Sequence, residues 1–84
     1  MYMVVMYDVA PKRTTKFLKL LRRYLQHTQY SVLSGDITEA QAEMLRGELS
    51  RLMIPGDKVV EITTPNRHNI HVHHLLKDES GKGP

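Results

Sequence analysis

An 84-residue chain carrying a net charge of +3 has room for one domain, and a domain of that size buries only roughly 60 to 65% of its unfolded surface, so support from a partner chain is expected. The sequence has no cysteine, which excludes disulfides and thiolate metal centres and makes the cytoplasm the expected compartment. No apolar run approaches the roughly 18 residues of a membrane span, and the apolar stretch 1–6 is ended by Asp8 too soon for a signal-peptide core, so neither membrane attachment nor processing is expected.

The first element is a strand, YMVVMYDV, marked by its Val and Tyr content and by the turn-forming APKR behind it. Both alternating faces are apolar, with Met3, Val5 and Tyr7 on one and Tyr2, Val4 and Met6 on the other, so both must be covered. Alternation puts Asp8 in line with Tyr2, Val4 and Met6.

From about residue 12 to 27, Phe17, Leu18, Leu21, Tyr24 and Leu25 fall at helical spacing, while Lys12, Arg13, Lys16, Lys19, Arg22 and Arg23 occupy the complementary arc. Up to His27 the balance of charge is +5, and over the remainder it is −2. A positive field gathered on one element attracts a polyanion and aims at phosphates, so binding is expected to ignore base sequence; a merely solvated helix face is the plainer alternative.

TQYSVLSGDI is extended, with Tyr30 and Val32 alternating against Gln29 and Leu33; Gly35 is expected at a bend or bulge, and the stretch divides readily into two short strands. Thr38 and Gln41 form a T-x-x-Q capping box at the start of a second helix whose core stripe is Leu45, Leu49, Leu52 and Met53. Pro55 and Gly56 end that helix, and KVVEITTP is a strand with Val60 and Ile62 on one face. NIHVHHLL reads as a last short strand. His71 and His73 share one of its faces, but His68, His71, His73 and His74 include no third ligand fixed by spacing, and a polar edge strand accounts for them better than a metal site. Residues 1–76 thus form one domain, and 77–84 have the composition of a disordered tail.

The order strand, helix, extended pair, helix, strand is the α+β ferredoxin-like, or split βαβ, pattern: an antiparallel sheet with two helices on one face. The other face is left bare and apolar, so a symmetric homodimer packing sheet on sheet is expected, with Asp8 at the rim of the interface and its two-fold mate nearby. Mg²⁺ normally takes one or two carboxylates with water and substrate phosphates, and a dimer supplies the second carboxylate by symmetry. Two Asp8 side chains would then make a divalent-metal site suited to a phosphodiester. The plainer reading has Asp8 ending a strand or capping the helix behind it. A small-ligand regulatory domain of the same fold finds no Gly-rich loop or cofactor motif to support it.

The opening MYMVVMYDV, the mid-chain TQYSVLSGDIT and the strand VVEI after the second helix resemble the CRISPR-associated protein 2 family over about residues 1–65. The resemblance implies small ferredoxin-like homodimers, makes Asp8 the metal-binding and catalytic aspartate of an endonuclease using Mg²⁺ or Mn²⁺, and assigns Gln29, Ser31, Val32 and Gly35 to a strand motif. Three positions depart from the family pattern: His27 stands where an arginine is common, Leu33 where the usual residue is Phe, and Ser34 where it is Glu. The resemblance also implies a second role, as the non-catalytic centre of a spacer-integration complex that bridges the CRISPR-associated protein 1 integrase and duplex DNA.

Overall fold

The computed structural model describes residues 1–66 and 68. The expected strand of NIHVHHLL and the tail at 77–84 therefore lie outside the described residues, as do His71, His73 and His74. The elements in chain order are β1 (Tyr2–Asp8), a 3-10 turn at Pro11–Arg13, α1 (Thr14–Leu21), β2 (Gln26–Gln29), β3 (Val32–Asp36), α2 (Glu39–Leu52) and β4 (Lys58–Thr64). The strands form a four-stranded sheet in the order β2-β3-β1-β4, with every neighbouring pair antiparallel. This is the ferredoxin-like arrangement expected from the sequence.

The strictly alternating β1 sits between β3 and β4. Met3, Val5 and Tyr7 are buried and join Phe17 and Leu21 of α1 and Ala42, Leu45 and Leu49 of α2 in the core. Burial of side chains of this size stabilises the fold by roughly 1.5–3 kcal/mol apiece. Tyr7 stacks on Phe17 with ring centroids 5.8 Å apart, which fixes α1 against the helix-covered side of the sheet. Tyr2, Val4 and Met6 point the other way and stay half-exposed. Their β4 partners on that side, Ile62 opposite Val4 and Val60 opposite Met6, are 42% and 52% exposed. The open face is thus apolar along two adjacent strands.

The capping box forms as read. The Thr38 hydroxyl accepts from the Gln41 amide at 3.0 Å, and the Gln41 side-chain oxygen accepts from the Thr38 amide at 3.0 Å. Two expectations need correction. The predicted helix over 12–27 is much shorter, because the chain turns at 22–24 and Gln26 already starts β2. The apolar spacing continues past the turn because Leu25 is buried in the same core that α1 covers, so one hydrophobic stripe is shared by a helix and the turn after it. Nor does Gly35 mark a bulge. It pairs regularly with Met3, and the irregularity falls in β2 between His27 and Gln29, which leaves Thr28 as the extra residue.

Candidate nucleic-acid interface and the Asp8 site

The end of β1 carries Asp8 out of the sheet on the open-face side, exposed, in line with Tyr2, Val4 and Met6. Among the described residues its carboxylate has no hydrogen bond or ion pair. It caps nothing: the 3-10 turn behind it has Ala10 at its N-cap and no side-chain cap bond. Its direct cross-strand partner is Lys58. Opposed residues of an antiparallel pair project to the same face with Cβ atoms about 4.5–5.5 Å apart, so Lys58 shares the face of Asp8 without forming an ion pair with it. Sequence reasoning missed Lys58. The parity of KVVEITT places it with Val60 and Ile62, but only the register of β1 against β4 brings it opposite Asp8.

A carboxylate that is exposed, hard in its oxygen chemistry and without a partner fits a divalent cation as one ligand. It does not complete a site alone, since among the described residues no three His, Cys, Asp or Glu side chains gather to hold a metal. The remaining oxygens must come from water, phosphate or a second copy of the chain.

The six basic residues separate into two groups. Arg13 is built into the fold: its Nη2 donates to Asp57 Oδ2 at 2.8 Å and to the Leu52 carbonyl at 2.9 Å, and its guanidinium lies 5.7 Å from the Phe17 ring centroid. Only 12% of the Arg13 side chain and 4% of the Asp57 side chain are exposed. The Asp57 carboxyl is held below its ordinary pKa chiefly by the Arg13 hydrogen bonds and next by the Ile54 amide, against the opposing effect of burial. Arg23 pairs with Glu48 at 3.0 Å and lies over the Tyr24 ring, whose hydroxyl donates to the same carboxylate. That Tyr24 bond, ahead of burial and the Arg23 bond, is the largest influence on Glu48, and the net effect lowers its pKa. Lys12, Lys16, Lys19 and Arg22 are exposed and form no ion pair among the described residues. They remain available for phosphates.

Because α1 packs on the covered side of the sheet, its basic arc and the Asp8 carboxylate lie on opposite sides of β1. Ser31 is held at the C-terminal end of β1, where its carbonyl accepts from the Tyr7 amide at 3.0 Å. His27, Tyr30 and Ser31 face Thr14, Thr15 and Leu18 of α1 across a groove at the same end. The tyrosines differ in burial. Tyr7 is buried and Tyr24 half-buried, whereas Tyr30 is 92% exposed at the β2–β3 turn.

Compared with known proteins, residues 1–70 match the sequence model of the family described as CRISPR associated protein Cas2. The chain belongs to the Cas2 family. A Haloferax volcanii protein named CRISPR-associated endoribonuclease Cas2 is 41% identical over 68 residues, 81% of this chain and 79% of the relative. Proteins of the same name from Thermotoga maritima and Dictyoglomus turgidum are 45% and 49% identical over 63% and 58% of this chain, and the matches span 61% and 56% of those relatives. A crystal structure of a Cas2 protein superposes with a TM-score of 0.85 at 35% identity, covering 95% of this chain and 91% of the other. Streptococcus pyogenes Cas2 at pH 6.5, at 23% identity, shares the fold with a TM-score of 0.72 over 88% of this chain and 100% of the other. The Cas2 match takes in β1 with Asp8, the free cations of α1 and the β2–β3 pair.

Proposed function

We propose that the chain is a homodimeric endonuclease of the CRISPR adaptation machinery that binds nucleic-acid backbone regardless of sequence and cleaves phosphodiesters with Mg²⁺ or Mn²⁺ at paired Asp8 carboxylates. The observation that carries this reading is the unpartnered, exposed Asp8 carboxylate at the rim of an apolar sheet face. A two-fold that covers Tyr2, Val4, Met6, Val60 and Ile62 brings two such carboxylates together. The endoribonuclease names of the relatives favour RNA as the substrate.

Within this reading Lys12, Lys16, Lys19 and Arg22 attract and orient the backbone, and the Lys58 ammonium draws a phosphate oxygen toward the Asp8 end of β1. Asp8 holds the cation, which when bound supplies charge stabilisation to the phosphodiester and activation of water. The test is cleavage of labelled RNA and DNA with Mg²⁺, with Mn²⁺ or with a chelator, run beside Asp8→Asn. Metal-dependent cleavage that disappears in Asp8→Asn while binding persists supports the proposal, and full activity in that variant removes Asp8 from the chemistry.

The placement of Lys58 opposite Asp8 favours a second reading. With a cationic side chain at the neighbouring register position, the metal-free end of β1 is not purely anionic, as suits a non-catalytic adaptor bridging the CRISPR-associated protein 1 integrase and duplex DNA. A wild-type protein that binds duplex DNA and cuts nothing under any metal condition selects this reading.

A further inference from the structure

The groove at the C-terminal end of β1 adjoins a second one along α1. The first, about 260 Å³, lies between His27, Tyr30 and Ser31 of the β2–β3 pair and Thr14, Thr15 and Leu18 of α1. The second, about 330 Å³, is lined by Thr15, Leu18, Lys19 and Arg22, so the two share Thr15 and Leu18 along one flank of the helix. Among the described residues no carboxylate lines either groove. One end is cationic, the middle has an apolar patch at Leu18, and the other end has an exposed aromatic ring.

That ring is held in an unusual way. Tyr30 has φ of 31°, the left-handed region that a bulky residue enters at a cost of roughly 1–2 kcal/mol, and it is the one non-glycine residue with positive φ among the described residues. Its carbonyl is bonded to His27 Nε2, and since a carbonyl oxygen can only accept, that nitrogen carries the proton. The turn backbone is therefore fixed while the ring itself packs on nothing substantial. Packing explains the other aromatic residues near the site, and it does not explain this one.

We infer that this flank of α1 and the β2–β3 turn form a track for single-stranded nucleic acid, with phosphates on Lys19 and Arg22 and one base stacked on Tyr30. Charge complementarity selects a polyanion, and an exposed ring selects a strand whose bases are free to stack, since the bases of a duplex are already paired and stacked. The inference shares with the proposed function only the class of ligand, and its test requires no cleavage.

The experiment is fluorescence anisotropy of a labelled single-stranded RNA and of the duplex of the same sequence, both in EDTA, with the wild type, Tyr30→Asn and Tyr30→Phe. Asn removes the ring yet tolerates positive φ, and thermal melts check that the variant folds. Tyr30→Asn is expected to weaken single-strand binding at least about fivefold and to leave duplex binding unchanged, while Tyr30→Phe stays within about twofold of wild type. Unchanged single-strand affinity in Tyr30→Asn, equal losses on both ligands, or a Phe variant as weak as Asn would each overturn the inference. Loss of cleavage in Asp8→Asn with Tyr30-dependent binding intact separates this result from the fate of the endonuclease reading.

Discussion

Arg13 and Lys12 are neighbours of the same charge with different physical roles, and sequence alone could not distinguish them. Arg13 meets Asp57, 44 residues away, through three hydrogen bonds, and only the tertiary fold brings that carboxylate to it. Arg13→Ala is therefore expected to lower the melting temperature by roughly 5–10 °C, because it leaves Asp57 buried without its cation, whereas Lys12→Ala should leave stability nearly unchanged. Thermal denaturation of the two variants compares them directly. Asp57 and Glu48 both have folded pKa values below their ordinary ones. The folded chain then binds fewer protons at these sites than the unfolded chain. Their stabilisation is present above the unfolded carboxylate values and is lost as the pH falls through the lowered folded values. Melting temperatures taken from about pH 6 down to pH 3 should fall through this window, and Asp57→Asn should flatten part of that slope.

Among the elements, β1, α2 and β4 were legible because each carries its own periodicity and local signals: strict alternation, a complete capping box, and a Pro-Gly stop. Thr38→Ala is expected to cost about 1 kcal/mol by removing that cap, measurable by denaturant unfolding. The end of α1 was not legible, since Tyr24 and Leu25 keep the helical spacing while belonging to a turn that covers the same core. Asp8 was legible as a polar end to an apolar strand, but Lys58 and Tyr30 depended on register and on turn geometry, which single residues do not encode. For α1 itself, replacing Lys16, Lys19 and Arg22 with Ala should weaken nucleic-acid binding uniformly across sequences. The log-log salt slope should flatten by about one unit for each phosphate that no longer meets a cation, as read from a titration of affinity against salt.

At the scale of the molecule, the sheet separates two requirements. The helix-covered face contains the core, and the open face offers Val60 and Ile62 beside Val4 and Met6. If, as proposed, a second copy covers that face, Ile62→Lys is expected to give a folded monomer at micromolar concentration in sedimentation, with cleavage lost if Asp8 acts in pairs. A cleaving monomer would separate the chemistry from the two-fold. The alternation of β1 has a further consequence for variation in this strand. Its odd positions face the interior and its even positions face outward, so a saturation mutagenesis profile should oscillate with a period of two. Substitutions at Met3, Val5 and Tyr7 should reduce the amount of protein that accumulates in cells. Those at Tyr2, Val4, Met6 and Asp8 should leave abundance closer to normal and register instead in the proposed cleavage or spacer-acquisition activity, so that two selections run on one library would separate the two faces of a single strand.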